Sequence, residues 1–388
     1  MATVGRWRYA LYDLLTGTLL AEHLPFDVDQ FTIMLGEAGT VQATLPLGDA
    51  AIRSRRPREL IVPRRTNLVM FRDEVPVWDG IIWSRRRGRD DRTNTSIFAA
   101  AEIRSYFAKR QLRPELGYGS AKTLSFTQTD SFVVFRAIIR DALNISISGL
   151  QPGNLRIDID DGQLSGVLID RRDAGSETTA YHGYSFQTYA QLLDDLAGTD
   201  PGLEWRLDPY LDVNGALRRR LVLGSPNVGV AGDDPNLATL EYPGDILSYE
   251  WPDDGESSAN YLAALGNGEG DAMRWAEAYN TAELSAGYPL TEATSSHKDD
   301  TSTTILGQKA IADLGSMSGD RTVPSLTING WASFTVGDHV RVRITDEDWW
   351  PDSRTSPYEA VVRVVGKTVT PGEREKTVLA IEEPRALT

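Results

Sequence analysis

Acidic side chains that could bind a metal ion lie closest together between residues 158 and 162. The run Asp158-Ile159-Asp160-Asp161-Gly162 resembles a calcium-binding loop, in which carboxylate oxygens at alternate positions bind the ion. The run is one residue short of the EF-hand spacing, and Ile169 stands where such a loop needs a bidentate glutamate. The sequence therefore favours a polar turn here over a calcium site.

A glycine-rich run could cradle a phosphate group at Gly266-Asn267-Gly268-Glu269-Gly270. The run has neither the final-glycine spacing of a dinucleotide-binding site nor the Gly-Lys-Ser/Thr ending of a P-loop. Its glycines are equally typical of a tight change of chain direction. A flexible turn is therefore the favoured interpretation.

Acid–base or nucleophilic catalysis would need histidines, cysteines or paired carboxylates. The four histidines are widely spaced and form no metal motif: His23, His182, His297 and His339. No Gly-x-Ser-x-Gly elbow supports a Ser–His–Asp triad, and the absence of cysteine excludes thiol chemistry and cysteine-bound metals. Adjacent acids such as Asp253-Asp254 and Asp299-Asp300 could hydrolyse a glycan, but such pairs are common on surface turns. We therefore expect no catalytic, cofactor-binding or metal-binding residue, and no enzymatic activity.

Tryptophans are the remaining candidates for a binding role. Trp275 and the pair Trp349-Trp350 could stack on sugars or anchor an interface between subunits, and the interface is the favoured interpretation. Trp205, Trp251 and Trp331 lie in strand-like patterns and are expected in the core.

Charge is distributed unevenly along the chain. Residues 1–120 contain 18 Lys and Arg against 14 Asp and Glu, a net charge of +4, whereas residues 121–388 contain 22 against 41, a net charge of −19. An acidic chain repels phosphates and binds nucleic acid poorly. Arginines cluster at residues 53–58 and 85–89, where they could face an acidic neighbouring subunit. A solvated surface is the favoured interpretation of these clusters.

The length of 388 residues suggests two or three domains. The longest apolar runs, such as residues 132–139, are interrupted by arginine and fall well short of the roughly 20 residues of a membrane span. The N-terminal residues also lack the apolar stretch of a secretory signal. We therefore expect no membrane span.

Short alternating segments in the first part of the chain predict strands. They recur every 8–12 residues and include Tyr9–Asp13, Phe31–Leu35, Val41–Leu45, Glu59–Pro63 and Pro76–Trp83. This spacing is typical of a small barrel or sandwich. We predict an N-terminal β-barrel domain over residues 1–112.

Helical periodicity begins in the middle of the chain. Ser131 could cap one helix that ends near Leu143, and Ser185 or Thr188 could begin a second that stops at Gly198. The Asn214-Gly215 pair between two strand-like runs predicts a hairpin. Residues 113–236 are therefore predicted to form an α+β middle domain.

The C-terminal region, residues 237–388, returns to strands. Strand-like segments occur at residues 246–251, 260–266, 326–328, 340–344, 360–365 and 377–381. Polar residues 291–304 are expected to be an exposed loop, with Ser302 able to cap a helix over Ile305–Leu314. The predicted fold is mainly β, with two small barrels on either side of an α+β insertion.

Several segments together resemble the minor tail proteins of phages of actinobacteria. The likeness covers almost the whole chain through short motifs: Tyr12–Gly17, Leu24–Phe26, Gly39–Leu47, Trp78–Trp83, Leu203–Arg206, Leu223–Pro226, Asn260–Gly268 and Val336–Val342. Such proteins resemble the baseplate hub of contractile tails, a trimer with two tube-like barrels in each subunit. Three subunits then present six similar barrels to the hexameric tail.

The resemblance implies a structural role at the tail tip of the virion, after assembly in the host cytoplasm. It implies a homotrimer that closes the distal end of the tail tube, with the distal tail protein ring above and a tip or fibre protein below. The tape measure protein and DNA would pass through or be retained by it, without specific nucleic-acid binding. Two alternatives remain open: a receptor-binding module that recognises host-surface glycan through tryptophans, and a tail-associated hydrolase of the cell wall.

Overall fold

The structure is a computed structural model that describes residues 5–90, 94–114, 122–173, 180–199, 201–250, 255–256, 258–318 and 324–382. Trp251, expected in the core, and the acidic pair Asp253-Asp254 lie outside the described residues. The predicted mainly β class is confirmed, because strands outnumber helices throughout the first and last thirds of the chain. None of the described helices is both long and apolar enough to cross a bilayer.

The N-terminal part of the chain forms seven strands and two short helices. They are β1 (Trp7–Asp13), β2 (Leu19–Ala21), β3 (Asp27–Met34), β4 (Thr40–Pro46), α1 (Ala50–Ser54), α2 (Pro57–Leu60), β5 (Thr66–Arg72), β6 (Val75–Arg89) and β7 (Asn94–Glu102). Helix α2 shows that the strand predicted over Glu59–Pro63 was wrong. Pro57 is suited to the first helical turn, since its fixed φ is already helical and no N–H is lost there.

The middle region follows a 3-10 helix, Ile103–Lys109. It contains β8 (Thr123–Leu124), β9 (Phe126–Asp130), α3 (Ser131–Leu143), β10 (Ile157–Asp158), β11 (Leu168–Arg171), β12 (Tyr181–His182), α4 (Tyr189–Ala197), β13 (Glu204–Leu211) and β14 (Leu217–Gly224). Both predicted helices and the predicted hairpin are confirmed. The apolar faces of α3 and α4 pack with Trp205 and Leu223 of the hairpin in one core.

The residues that begin the two helices differ in how well the sequence predicted them. The cap of α3 is Asp130, which accepts the N–H of Phe132 at 3.0 Å, so the prediction of Ser131 was wrong by one position. Thr188, one of the two residues predicted, caps α4. The side-chain oxygen of Gln191 completes a capping box by accepting the Thr188 N–H. Gly215 turns the hairpin with φ of 75°.

The C-terminal region contains a second set of strands with a small α/β insertion. The elements are β15 (Thr239–Tyr242), β16 (Ile246–Glu250), β17 (Tyr261–Leu265), β18 (Trp275–Tyr279), α5 (Thr281–Ala286), β19 (Glu292–Ser296), α6 (Thr303–Met317), β20 (Ser325–Asn329), β21 (His339–Ile344), β22 (Tyr358–Thr370) and β23 (Lys376–Glu382). Strand β19 shows that the loop predicted over residues 291–304 was wrong in part. It is a polar strand that pairs in parallel with β17, while Ser302 caps α6 as predicted.

The N-terminal strands form a strongly curled sheet, which we call the N-terminal half-sheet. Its order is β2-β1-β5-β6-β7-β4-β3. The rings of Trp7 on β1 and Phe31 on β3 lie 5.6 Å apart, although the two strands are five positions apart in the sheet. A flat sheet with a strand spacing of about 4.8 Å would separate them by roughly 24 Å. The sheet therefore curls around the single core that contains Phe31, Trp78 and Phe98.

The C-terminal strands curl in the same way into a C-terminal half-sheet of order β15-β21-β22-β23-β20-β16. Tyr242 on β15 and Tyr249 on β16 belong to the two ends of that order, yet their rings are 5.2 Å apart. Alternate residues of the strands face one core, as in the pattern of Val340, Val342 and Ile344 on β21.

The two half-sheets are one continuous sheet of 13 strands, because β3 pairs antiparallel with β22 over Phe31–Met34 and residues 366–369. Val369 from β22 contributes to the N-terminal core. The strand ladder is open among the described strands, so the two closed barrels predicted from the sequence are not confirmed. The domain boundaries at residues 112 and 236 stay a prediction.

Replacing Gly80 with alanine should destabilise the curled N-terminal half-sheet. A Cβ at Gly80 on β6 would lie 2.3 Å from the Trp78 ring and 2.6 Å from the Ala101 carbonyl oxygen. We expect Gly80→Ala to lower the free energy of unfolding by about 1–3 kcal/mol in denaturant titrations. Gly88 on the same strand is the control, since its Cβ would find only one atom at 3.9 Å. Equal losses for the two variants would contradict the packing described here.

Candidate functional site

The acidic run at residues 158–162 does not converge on a metal ion. Asp158 binds Arg218, with the Nε atom at 2.9 Å, and also accepts the Tyr210 hydroxyl. Asp161 binds Arg140 at 2.5 Å on the other side of the run. The Arg218 hydrogen bond lowers the pKa of Asp158, as expected for a carboxylate held by a cation. Over the whole of the described chain, no three His, Asp or Glu side chains gather as metal ligands would.

The histidines are dispersed, and among the described residues no nucleophile is brought into a productive triad around them. His297 Nε2 lies 2.7 Å from Asp313 and 3.2 Å from the Ser295 hydroxyl. Because both contacts use the same ring nitrogen, the histidine cannot pass a proton from the serine while the acid orients its other nitrogen. His182 pairs with Asp173 at 2.7 Å, and His339 bonds a backbone carbonyl.

The tryptophans expected at the surface divide into two kinds. Trp275 and Trp349 are half to two-thirds exposed, whereas Trp350 stacks on Tyr358 with ring centroids 5.1 Å apart. Of those expected in the core, Trp205 is buried and Trp331 is half-buried.

A buried ion pair joins the N-terminal half-sheet to the middle region. Arg219 on β14 contacts Asp79 on β6 at 2.7 Å, and the two side chains are only 1% and 4% exposed. Asn67 donates to the same carboxylate at 3.0 Å, and Arg219 also donates to the Leu155 carbonyl at 2.7 Å. Moving either partner away would leave the other as an uncompensated buried charge, so this pair opposes a shift of β6 against β14.

Two further ion pairs connect the C-terminal half-sheet to the other parts of the chain. Glu375, beside β23, accepts two bonds from Arg72 at 2.8 and 3.0 Å and one from the Trp7 indole at 2.9 Å. Glu204 on β13 forms a forked pair with Arg363 on β22, with one contact of 2.8 Å. Together with Asp79–Arg219, these pairs connect each of the three parts to both of the others.

A cavity of about 320 Å³ lies where the three parts meet. Three tryptophans line it, one from each part of the chain: Trp78, Trp205 and Trp331. Glu102 and Lys367 also line it. No pattern in the sequence predicted this cavity, although a lysine within the apolar run of β22 is the kind of signal that could have indicated it.

Burial shifts the pKa of two of the charged groups that line this cavity, Glu102 and Lys367. It raises the pKa of Glu102 to about 8, even though the Gly39 N–H donates to its carboxylate at 2.6 Å. Burial likewise lowers the pKa of Lys367 to about 7. The Lys367 Nζ donates to the carbonyls of Ala332 and Phe334 and lies 5.2 Å from the centre of the Trp331 ring.

The two arginine clusters come together at the surface as one groove, which we call the arginine groove. Its basic side chains are Arg53, Arg56, Arg58, Arg85, Arg87 and Arg89. Arg85 ties the two sides together by donating to the Arg58 and Ile61 carbonyls at 2.8 and 2.6 Å. In the described part of the chain, the one ion pair within the groove joins Arg56 to Glu59 at 3.4 Å.

This arrangement of half-sheets and middle region is found in solved structures of tail proteins, two of them from prophages. A tail protein from Neisseria meningitidis is 14% identical, with 97% of this chain and 96% of that chain covered and a TM-score of 0.56. A 43 kDa tail protein of a Shewanella oneidensis prophage is 10% identical, with 98% and 99% covered and a TM-score of 0.56. The chain has a phage tail protein fold. No protein-family model and no curated protein sequence matches it.

A third structure extends the likeness to another bacterial group. The prophage tail protein gp18 from Listeria monocytogenes is 12% identical, with 98% of this chain and 96% of that chain covered and a TM-score of 0.53. In each case nearly the full length of both chains is aligned, so the shared fold includes both half-sheets and the middle region. The tail-protein resemblance seen in the sequence is confirmed at the level of the fold.

Breaking the Asp79–Arg219 pair should cost much more stability than breaking an exposed pair. Asp79→Ala leaves the Arg219 guanidinium buried without its counter-charge, and we expect a loss of about 3–5 kcal/mol in the free energy of unfolding. Arg65→Ala is the control, because Arg65 is 74% exposed in its pair with Asp13 and should lose at most about 1 kcal/mol. Denaturant titrations of the three proteins measure both differences. A small loss for Asp79→Ala would show that the pair does not hold β14 to β6.

Glu102 should make the folded protein less stable as the pH rises from about 4.5 to 8. In that window the folded state keeps a proton that the unfolded state, with the ordinary pKa of 4.5, has released. Stability then falls with a slope of at most roughly 1.4 kcal/mol per pH unit for one proton. We expect Glu102→Gln to remove this slope when the free energy of unfolding is compared with that of the unaltered chain across the window.

Lys367→Met is the matched control, because Lys367 changes the stability with pH in the opposite direction and over a higher pH range. The folded state lacks the Lys367 proton between about pH 7 and 10.5, whereas the unfolded state carries it, so stability rises with pH there. The methionine variant should lose that rise and leave the slope below pH 7 unchanged. The same pH profile for both variants would contradict the two assignments.

Proposed function

We propose that the chain is a structural protein of a phage tail, placed as a hub at the distal end of the tail tube, and that it acts by assembly rather than catalysis. The observation that carries this proposal is the fold shared over nearly the full length with three tail proteins, two of them from prophages. The dispersed histidines and the arginine-bound carboxylates support a role that does not involve catalysis.

The proposed hub is a homotrimer. Each copy contributes two curled half-sheets, so three copies provide six similar surfaces that could meet a hexameric tail. The three ion pairs suit this task, because together with the β3–β22 pairing they link both half-sheets of one copy to each other and to the middle region. In this proposal the distal tail protein ring and the tape measure protein lie above the hub, and a tip or fibre protein lies below.

DNA passes through the hub in this proposal without being bound specifically. The net charge of −15 supports that part, since an acidic wall repels phosphate and does not retain it by releasing counterions. The relation to tails of actinobacterial phages rests on the sequence motifs alone and belongs to the proposal.

A role in recognising host-surface glycan is the second candidate, and the exposed Trp349 favours it. An aromatic ring held in a surface turn can stack on a sugar. Purified chain that binds host envelopes without the rest of the tail, and loses this binding on Trp349→Ala, would support the second candidate over the hub.

Virions of the phage that encodes this chain provide the direct test. We expect the chain to be present in purified particles by mass spectrometry, and antibodies against it to label the tail end farthest from the capsid in electron micrographs. Antibodies absorbed with purified chain are the control and should leave particles unlabelled. Antibody label on the capsid, or absence of the chain from intact virions, would contradict the proposed location.

A further inference from the structure

One sheet face of the α/β insertion is left uncovered by the other described parts of the chain. Strands β18, β17 and β19 form a three-stranded sheet whose inner face packs on α6 through Leu262, Ala264, Leu306 and Ala310. Because side chains alternate along a strand, every second residue points away from α6. We call these nine residues the outer face: Tyr261, Ala263, Leu265, Trp275, Glu277, Tyr279, Glu292, Thr294 and Ser296.

The outer face combines aromatic surface with negative charge. Trp275 and Tyr279 are 51% and 56% exposed, and the hydroxyl of Tyr261 donates to Glu277 at 2.8 Å. Glu292 lies opposite Tyr261 in the strand register, and none of the nine residues is a lysine or an arginine. Exposed aromatic groups of this kind are typical of docking surfaces rather than of a merely solvated face.

The arginine groove has the complementary chemistry. It presents six guanidinium groups and one carboxylate, that of Glu59. A guanidinium can pair with a carboxylate and stack on an aromatic ring at the same time, and the outer face offers both partners side by side. We propose that the outer face of one copy docks into the arginine groove of the next copy.

The two surfaces belong to different parts of the chain, so the contact is head-to-tail and each copy can make it twice. The inference deepens the proposed function, since it rests on the chain forming a ring and names the surfaces that join neighbouring copies. Contacts of this type close into a ring when the rotation between copies permits.

The size of the outer face sets the expected strength of the contact. The outer face, with three strands of five residues, measures about 14 Å by 17 Å, an area of roughly 240 Å². A stable protein complex buries about 800 Å² of surface on each partner. Tyr288 and Leu290, which are also more than half exposed, extend the apolar area beside it. The contact between two isolated copies is therefore weak, and association depends on concentration.

Two full-length charge-reversal variants test this contact. The first, Glu277→Lys with Glu292→Lys, makes the outer face positive and leaves the groove positive. The second, Arg56→Glu with Arg58→Glu and Arg89→Glu, leaves three arginines against four glutamates in the groove, which makes it negative, and leaves the outer face negative. All five residues are exposed, and the circular dichroism spectra of both variants confirm that they fold before they are compared. Sedimentation velocity over a range of concentrations measures their association.

We expect the unaltered chain to associate and each variant alone to associate at least about tenfold more weakly, because like charges then face each other. An equimolar mixture of the two variants should regain association, since each surface then meets a partner of opposite charge. Asp348→Lys with Asp352→Lys makes the same change in net charge as the first variant, but on a different surface, and should associate like the unaltered chain.

The proposal is overturned if the unaltered chain stays monomeric at every concentration, if either variant alone associates like it, or if the mixture does not regain association. It is also overturned if the control variant loses association, since net charge and not the outer face would then be responsible. None of these results moves the antibody label on virions, so the hub proposal and the docking proposal can fail separately.

Discussion

The Asp79–Arg219 pair is the contact on which the arrangement of the molecule most depends. Its two charges are removed from water, and the cost of that burial is offset only while both partners and Asn67 keep their places. A shift of β14 against β6 by a few ångströms would leave an uncompensated charge in the core. Small displacements of the middle region against the N-terminal half-sheet are therefore unfavourable, and the two parts keep one relative position until the pair breaks.

The same constraint explains why the central cavity persists. Trp78, Trp205 and Trp331 come from the three parts of the chain that the ion pairs join, so the positions of their rings around the cavity depend on how those pairs fix the parts relative to one another. The space that remains has an acid and a base in its lining. Because burial disfavours both charges, the Glu102 cost builds up as the pH rises to about 8, whereas the Lys367 cost is relieved only above about pH 7, so the two costs coincide near neutral pH.

The elements that the sequence predicted well are those with local causes. Helix α4 has its capping box within four residues, and the β13–β14 hairpin has its Asn-Gly turn. Strand β19 was missed because its Ala-Thr-Ser composition carries no apolar alternation, and its pairing with β17 is a tertiary effect. The ion pairs could not be predicted at all, since Asp79 and Arg219 are 140 residues apart and no local pattern links them. The convergence of the two arginine clusters has the same origin, because it follows from α2 lying beside β6.

The rigidity provided by the ion pairs also bears on how copies can assemble. A head-to-tail contact fixes a rotation between neighbours, and a ring closes only if every copy repeats that rotation closely. In a chain whose parts could move, the rotation between neighbouring copies would vary from contact to contact. Open filaments would then form as readily as rings. The arginine groove lies on the N-terminal half-sheet and the outer face on the C-terminal insertion, where Lys309 on α6 pairs with Asp195 on α4 at 3.6 Å. The angle between the two surfaces therefore depends on that contact as well as on the three pairs that join the parts. Loss of one buried pair would therefore change the geometry of assembly as well as the stability of a single copy.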